Sequence, residues 1–159
     1  MINFKTMTTN YDLERHQKLL QYKEKLAKQG KFLHKETLDK FVELRTYENC
    51  VHFQLIWEAR NEYLDMFKNF LLNQITIDQL SHQFHEISIQ IHNPNNVLNN
   101  NLINEKAKEF AIFIEDLELS FEILDTNPEP YRVPDSIGEY ELRKEIERAY
   151  VQINDFLKN

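Results

Sequence analysis

Cysteine is nearly missing from this 159-residue chain: Cys50 is the only one. An internal disulfide and a cysteine zinc cage are therefore both excluded, and a reducing compartment is the natural setting. Glycine (2) and proline (4) are almost as scarce, which argues against many-turned β structure and for long helices. No apolar run approaches the roughly 20 residues that a membrane span needs. The opening "MINFKTMTTNYDLERHQK" lacks the continuous apolar core of a secretory signal. Also lacking are a glycine-rich phosphate loop, a nucleophile elbow and a paired catalytic-acid motif, so the expectation is a protein that is not an enzyme and carries no cofactor. The last absence is local. "FIEDLELSFEILDTNPEP" (113–130) contains Glu115, Asp116, Glu118, Glu122, Asp125 and Glu129, and no lysine or arginine at all.

What is present is a globular composition, 42% hydrophobic and 12% aromatic, of a length suited to one domain. Asparagine (16) and isoleucine (14) are abundant and alanine (5) is not, a bias that fits AT-rich codons. A plastid, a mitochondrion or a low-GC bacterium would each suit that bias, and the setting expected is a plastid stroma or a bacterial cytoplasm. The net charge of −7 is unevenly spread: residues 1–45 sum to +4 and residues 46–159 to −11. The expectation is a basic helical arm (1–45) on an acidic body (46–159). An acidic body repels nucleic acid and suits a basic protein partner.

Helical spacing dominates the chain. Residues 11–29 form a lysine-rich helix that Gly30 stops, and 35–45 a short second one. Residues 49–74 carry Val51, Phe53, Ile56, Trp57, Tyr63, Leu64, Phe67, Phe70 and Leu71, with no proline or glycine, and read as one helix, with continuity into the preceding one left open. Thr76 with Gln79 is a capping box that opens a helix over 76–93. Its stripe of Ile77, Leu80, Phe84, Ile87 and Ile91 has the amphipathic period. "NPNNVLNNN" (93–101) is a loop, 102–125 the next helix, and the proline-bearing 126–138 a connector. Ser136 with Glu139 is read as the box opening a last helix over 139–157. The fold expected is all-α: an antiparallel four-helix bundle over about 47–157, preceded by the arm.

On a helical wheel Phe110, Phe113, Ile114, Leu117, Phe121 and Leu124 share the core face of 102–125. Glu115, Glu118, Glu122 and Asp125 recur at spacings of 3, 4 and 3 on an adjacent stripe. Like charges so placed cost an isolated helix a few tenths of a kcal/mol each. Asp125 also lies at the negative end of the helix dipole. A solvated face is the plain reading. The sharper one is a docking surface for a cationic protein site, reached quickly and held in a salt-sensitive way. "YRVP" adds Tyr131 and Arg132 as candidate interface anchors. In the arm, Lys18, Lys23, Lys25, Lys28, Lys31 and Lys35 could touch RNA phosphates, although interleaved aromatics are few.

Two constellations point less far. His82, His85, Glu86 and His92 have helical ligand spacing, but they lie opposite the apolar stripe and no further ligand is in view, so no metal is expected. Cys50 and His52 point apart on a helix, and burial is the expected fate of the thiol.

Three pieces carry a resemblance. "FLLNQITIDQLSHQFHEI" (70–87) resembles the opening of the colicin D immunity protein-like family. "FIEDLELSFEIL…NPEPYR" resembles that family's acidic helix and its proline-containing exit, and "IGEYELRKEIERAYVQINDFL" its closing helix. The likeness covers about 47–157, and similar sequences occur in bacteria and as unassigned open reading frames of algal plastid genomes. It implies a small antiparallel helical bundle that binds a tRNA-cleaving toxin domain and blocks its basic active site. By matched position, the residues implied are Glu115, Asp116, Glu118, Glu122 and Asp125. The rival expectation is an accessory subunit of an organellar ribosome or other ribonucleoprotein, its arm on RNA and its acidic body on a basic protein.

Overall fold

A computed structural model describes residues 11–159 of the chain. The first ten residues of the expected arm, and most of the opening stretch read for a secretory signal, lie outside the described residues. The fold is all-helical, with seven α-helices among the described residues. These are α1 (Leu13–Lys28), α2 (Leu33–Glu36), α3 (Leu38–Glu58), α4 (Arg60–Leu71), α5 (Ile77–Ile91), α6 (Ala107–Glu122) and α7 (Glu139–Lys158). No helix among them is long and apolar enough to cross a membrane.

Local chemistry sets the helix ends. Asp12 caps α1, its Oδ1 accepting from the Arg15 N–H at 2.9 Å. Gly30, at φ +70°, turns the chain out of α1, a backbone conformation that costs glycine nothing. Thr76 and Gln79 form the expected capping box: the Gln79 N–H donates to Thr76 Oγ1 at 3.2 Å, and the Thr76 N–H to Gln79 Oε1 at 2.9 Å.

Four boundaries differ from the sequence reading. The short helix expected over 35–45 is divided at Thr37, whose extended backbone ends α2 and opens α3. Residues 49–74 are not one helix. The helix begun at Leu38 runs through to Glu58 and breaks at Ala59. Arg60 holds the break, its Nη1 donating to the Trp57 carbonyl at 3.0 Å with the guanidinium over the indole at 4.6 Å. α6 starts at Ala107 and not at 102, because Asn104 keeps the approach non-helical. Its N–H donates to Gln54 Oε1 and its Oδ1 accepts from the Lys106 N–H, each at 2.8 Å. The box before α7 uses Gly138 and Glu141, the glycine N–H donating to Glu141 Oε2 at 3.0 Å. Ser136 instead donates its hydroxyl to the Val133 carbonyl at 2.6 Å.

One continuous core joins α3, α4, α5, α6 and α7 through Ile56, Tyr63, Phe67, Phe70, Leu80, Phe84, Phe110, Ile114, Leu142, Ile146 and Ile153. α3 packs along α6, and α7 lies against α4 and α6. α5 packs on α4 and α3 more than on α6, so α5 and α6 stand on either side of a gap.

Within the described part of 1–45, α1 lies on the first half of α3. Leu19, Leu26, Leu33 and Leu44 form a second buried cluster, and Tyr11, Val51 and Leu98 a third. Arg15 meets Glu43 in a two-pronged ion pair, with both N–O distances 2.7 Å. Burying each leucine is worth about 2 kcal/mol. Leu19→Ala is accordingly expected to cost about 2–4 kcal/mol. Hydrogen exchange would show α1 amides opening ahead of those in α6 and α7. Unchanged protection in α1 would mean that this cluster does not hold the helix down.

His16 sits inside this contact, fully buried, its Nδ1 bonded to the Tyr11 hydroxyl at 2.9 Å and its Nε2 without a partner among the described residues.

Candidate protein-binding face on the sixth helix

α6 presents its core side to α3 and α7 through Phe110, Ile114 and Leu117. The carboxylates of α6 and its exit, the four of the stripe together with Asp116, divide into three kinds. Glu115 and Glu118 are drawn inward toward histidines: Glu115 Oε1 lies 3.0 Å from His52 Nε2, and Glu118 Oε2 lies 3.8 Å from His92 Nε2. The two imidazoles face each other at 4.8 Å between centroids. Ser88 donates its hydroxyl to Glu118 and so ties α5 to α6. Asp125 is committed to its own loop, accepting from the backbone N–H groups of Val133 (2.8 Å) and Asn127 (3.0 Å). Those two bonds hold its carboxyl below the usual aspartate range.

Asp116 and Glu122 are the third kind. Both are exposed, and among the described residues neither forms an ion pair. No lysine or arginine among the described residues pairs with any of Glu115, Asp116, Glu118 or Glu122; their only ionic partners are the two histidines. Burial pushes the His52 imidazole below its ordinary value, against the raising pull of the Glu115 hydrogen bond. At neutral pH His52 therefore leaves the Glu115 charge standing.

Leu119, Ile112 and Ile123 complete the face. Leu119 is 62% exposed and lies within one helical turn of Glu115, Asp116 and Glu122. Ile112 and Ile123 are also exposed, at i−7 and i+4 from it. The outer side of α6 is thus an apolar crest edged with carboxylates. The sequence reading missed the crest, although a signal was there: nine apolar residues in a helix of this length are more than one face can bury.

The other sequence candidates separate as well. Tyr131 is 78% exposed, whereas Arg132 turns inward, its Nε donating to the Asn127 carbonyl at 2.8 Å, with Glu129 at 3.3 Å and Glu141 at 3.6 Å. Four lysines of the expected RNA contact sit in pairs: Lys18–Glu14 (3.9 Å), Lys23–Glu48 (3.5 Å), Lys28–Glu24 (2.8 Å) and Lys31–Glu36 (3.7 Å). Lys25 is exposed, and Lys35 lies over the Phe32 ring at 5.3 Å. His82 pairs with Glu86 at 3.3 Å, while His92 belongs to the His52 side. Among the described residues no group of three or more His, Cys, Asp or Glu is arranged to hold a metal ion. Cys50 is half-buried beside the Tyr11 cluster, and His52 serves Glu115.

Two depressed histidines make a pH prediction. Burial lowers both His16 and His52 in the folded chain. A histidine whose folded pKa is lowered contributes stability above its unfolded value of about 6.5, and that stability is lost as pH falls below it. The melting temperature is expected to drop between about pH 7.5 and about pH 5.5, and to drop less in His52→Gln. Equal drops in the two proteins would remove His52 from the account.

No protein-family model, curated protein or solved structure matches this chain.

Proposed function

We propose that this chain is a non-enzymatic protein-binding module, and in its most specific form an immunity-like inhibitor. It neutralises a basic tRNase-type toxin domain by laying the outer face of α6 over that domain's cationic site. In this reading residues 46–159 are the acidic unit, an antiparallel four-helix bundle over about 47–157 in which α3 and α4, parted only at Ala59, count as one broken helix. Residues 1–45 are its basic helical arm, and the setting is a reducing interior, a plastid stroma or a bacterial cytoplasm. One observation carries the reading: Asp116 and Glu122 stand exposed and unneutralised on either side of exposed Leu119. A solvated helix gains nothing from an exposed apolar crest, whereas an interface gains desolvated area from the crest and orientation from the acids. The resemblance over 47–157 supplies the class of partner.

The test is capture on the tagged chain at low and at high salt, followed by an assay of tRNA cleavage with the purified partner. A basic nuclease whose cleavage stops when the chain is added in equal amount supports inhibition. Capture of a particle-sized set of proteins with RNA, lost when residues 1–45 are deleted, replaces it with the second reading. That reading is an accessory subunit of an organellar ribosome or other ribonucleoprotein, and it is favoured by the +4 charge of residues 1–45 against the −11 of the rest.

A further inference from the structure

The gap between α5 and α6 is an open groove of about 580 Å³. Its floor is aromatic: Phe84 and Phe121 stack at 4.2 Å between centroids, and Phe121 remains partly exposed. One wall, from α6, carries Glu118 and Glu122. The other, from α5, carries Ser81 and His85. Among the described residues the buried Ser81 hydroxyl oxygen has no hydrogen-bond partner, an unmet polar group beside the aromatic floor.

We infer that this groove is a receiving slot for one arginine side chain of the basic partner; the inference rests on the proposed function and says how the acidic face would be read. A guanidinium matches the slot in each of its parts. Its flat, weakly hydrated face stacks on the Phe121 ring. Its fork of N–H donors can pair with the Glu122 carboxylate on the α6 wall. A lysine ammonium would bring the charge, but it has no planar face to lay on the ring and keeps its water more strongly. An apolar side chain would cover the Glu122 carboxylate without giving it a partner, and an anion would meet the two acids of the α6 wall. The slot adjoins the crest, because Glu122 edges both the groove and Leu119. A partner helix or loop seated on Ile112, Leu119 and Ile123 could therefore drop an arginine into it.

The experiment uses the full chain with the aromatic and methyl groups of its side chains observed by NMR. N-acetyl-arginine amide, N-acetyl-lysine amide and N-acetyl-citrulline amide are titrated in turn. The arginine compound is expected to shift the Phe121 and Phe84 ring resonances with a millimolar midpoint. The lysine compound should bind several-fold more weakly, and the uncharged citrulline should leave the rings unmoved. Glu122→Gln, an exposed change that spares the fold, should weaken the arginine response several-fold. Citrulline matching arginine, shifts scattered over all surface carboxylates, or unmoved rings would each overturn the slot. Its failure is distinct from failure of the proposed function. A basic nuclease captured and silenced while the arginine compound leaves Phe121 unmoved keeps the face and removes the slot. Ring shifts with no nuclease captured keep the slot and remove the inhibitor.

Discussion

Asp116→Lys combined with Glu122→Lys is expected to weaken binding of the basic partner about a hundredfold at low salt, near 2.7 kcal/mol, while the melting temperature stays within a degree or so of the parent. The choice of this pair follows from how α6 spends its acids. Glu118 accepts a hydrogen bond from the Ser88 hydroxyl and faces His92, so reversing it would break a link between α5 and α6 along with any partner contact. Glu115 is held against His52 in the same way. Asp116 and Glu122 have no such internal duty among the described residues, so their charge can be reversed without unpicking the fold. Exposed charges act mainly on the association rate and its salt dependence. The loss should therefore appear as slower association, and the gap between variant and parent should narrow as salt rises. Titration calorimetry and stopped-flow mixing against the purified partner would measure both. A double variant that binds as tightly as the parent at low salt would remove the acidic face from the interface. Leu119→Ala makes a useful companion: it should speed dissociation, because it removes desolvated area and leaves the electrostatic steering alone.

How far the sequence reaches depends on the range of the interactions that decide each feature. The Thr76–Gln79 box was legible because both of its bonds close within three residues. The stripe of Ile77, Leu80 and Phe84 was legible because helical periodicity alone sends those positions inward. The break at Ala59 was not, since no glycine or proline marks it. It goes with Arg60 reaching back to the Trp57 carbonyl and ring, a choice of rotamer and hydrogen bond that the apolar period does not encode. The late start of α6 depends on Asn104 meeting Gln54, fifty positions away in the chain. Charge was the least legible property. A run of lysines reads as a free basic surface, yet Lys23 is matched by Glu48 and Arg15 by Glu43 across the α1–α3 contact, pairings that no local pattern announces. The acids of α6 were found as a stripe, but which of them are spent internally and which face outward emerged only with Ser88, His52 and His92 placed beside them.

Phe84→Ala is expected to cost about 3–5 kcal/mol, the largest stability loss of any substitution considered. Phe84 is buried at the meeting point of three aromatic neighbours: Tyr63 at 5.6 Å, Phe67 at 6.4 Å and Phe121 at 4.2 Å between centroids. α5 and α6 pack mainly on other helices, so this ring carries much of what joins them, beside the Ser88–Glu118 bond. Truncation removes the ring's own transfer energy and also leaves a void that rigid helices cannot collapse into. In a domain of this size the loss corresponds to a fall in melting temperature of about 10 °C. Phe121→Ala should cost less, because that ring is already partly in water on the groove side. The order of the two variants is the informative result. If Phe121→Ala were the more damaging, the ring at the mouth of the groove would be a structural pillar, and the floor proposed to receive an arginine would be closed in solution. If Phe84→Ala is the more damaging, Phe121 is the replaceable upper face of the pair. It is then a surface that a guanidinium can cover without disturbing the core beneath it.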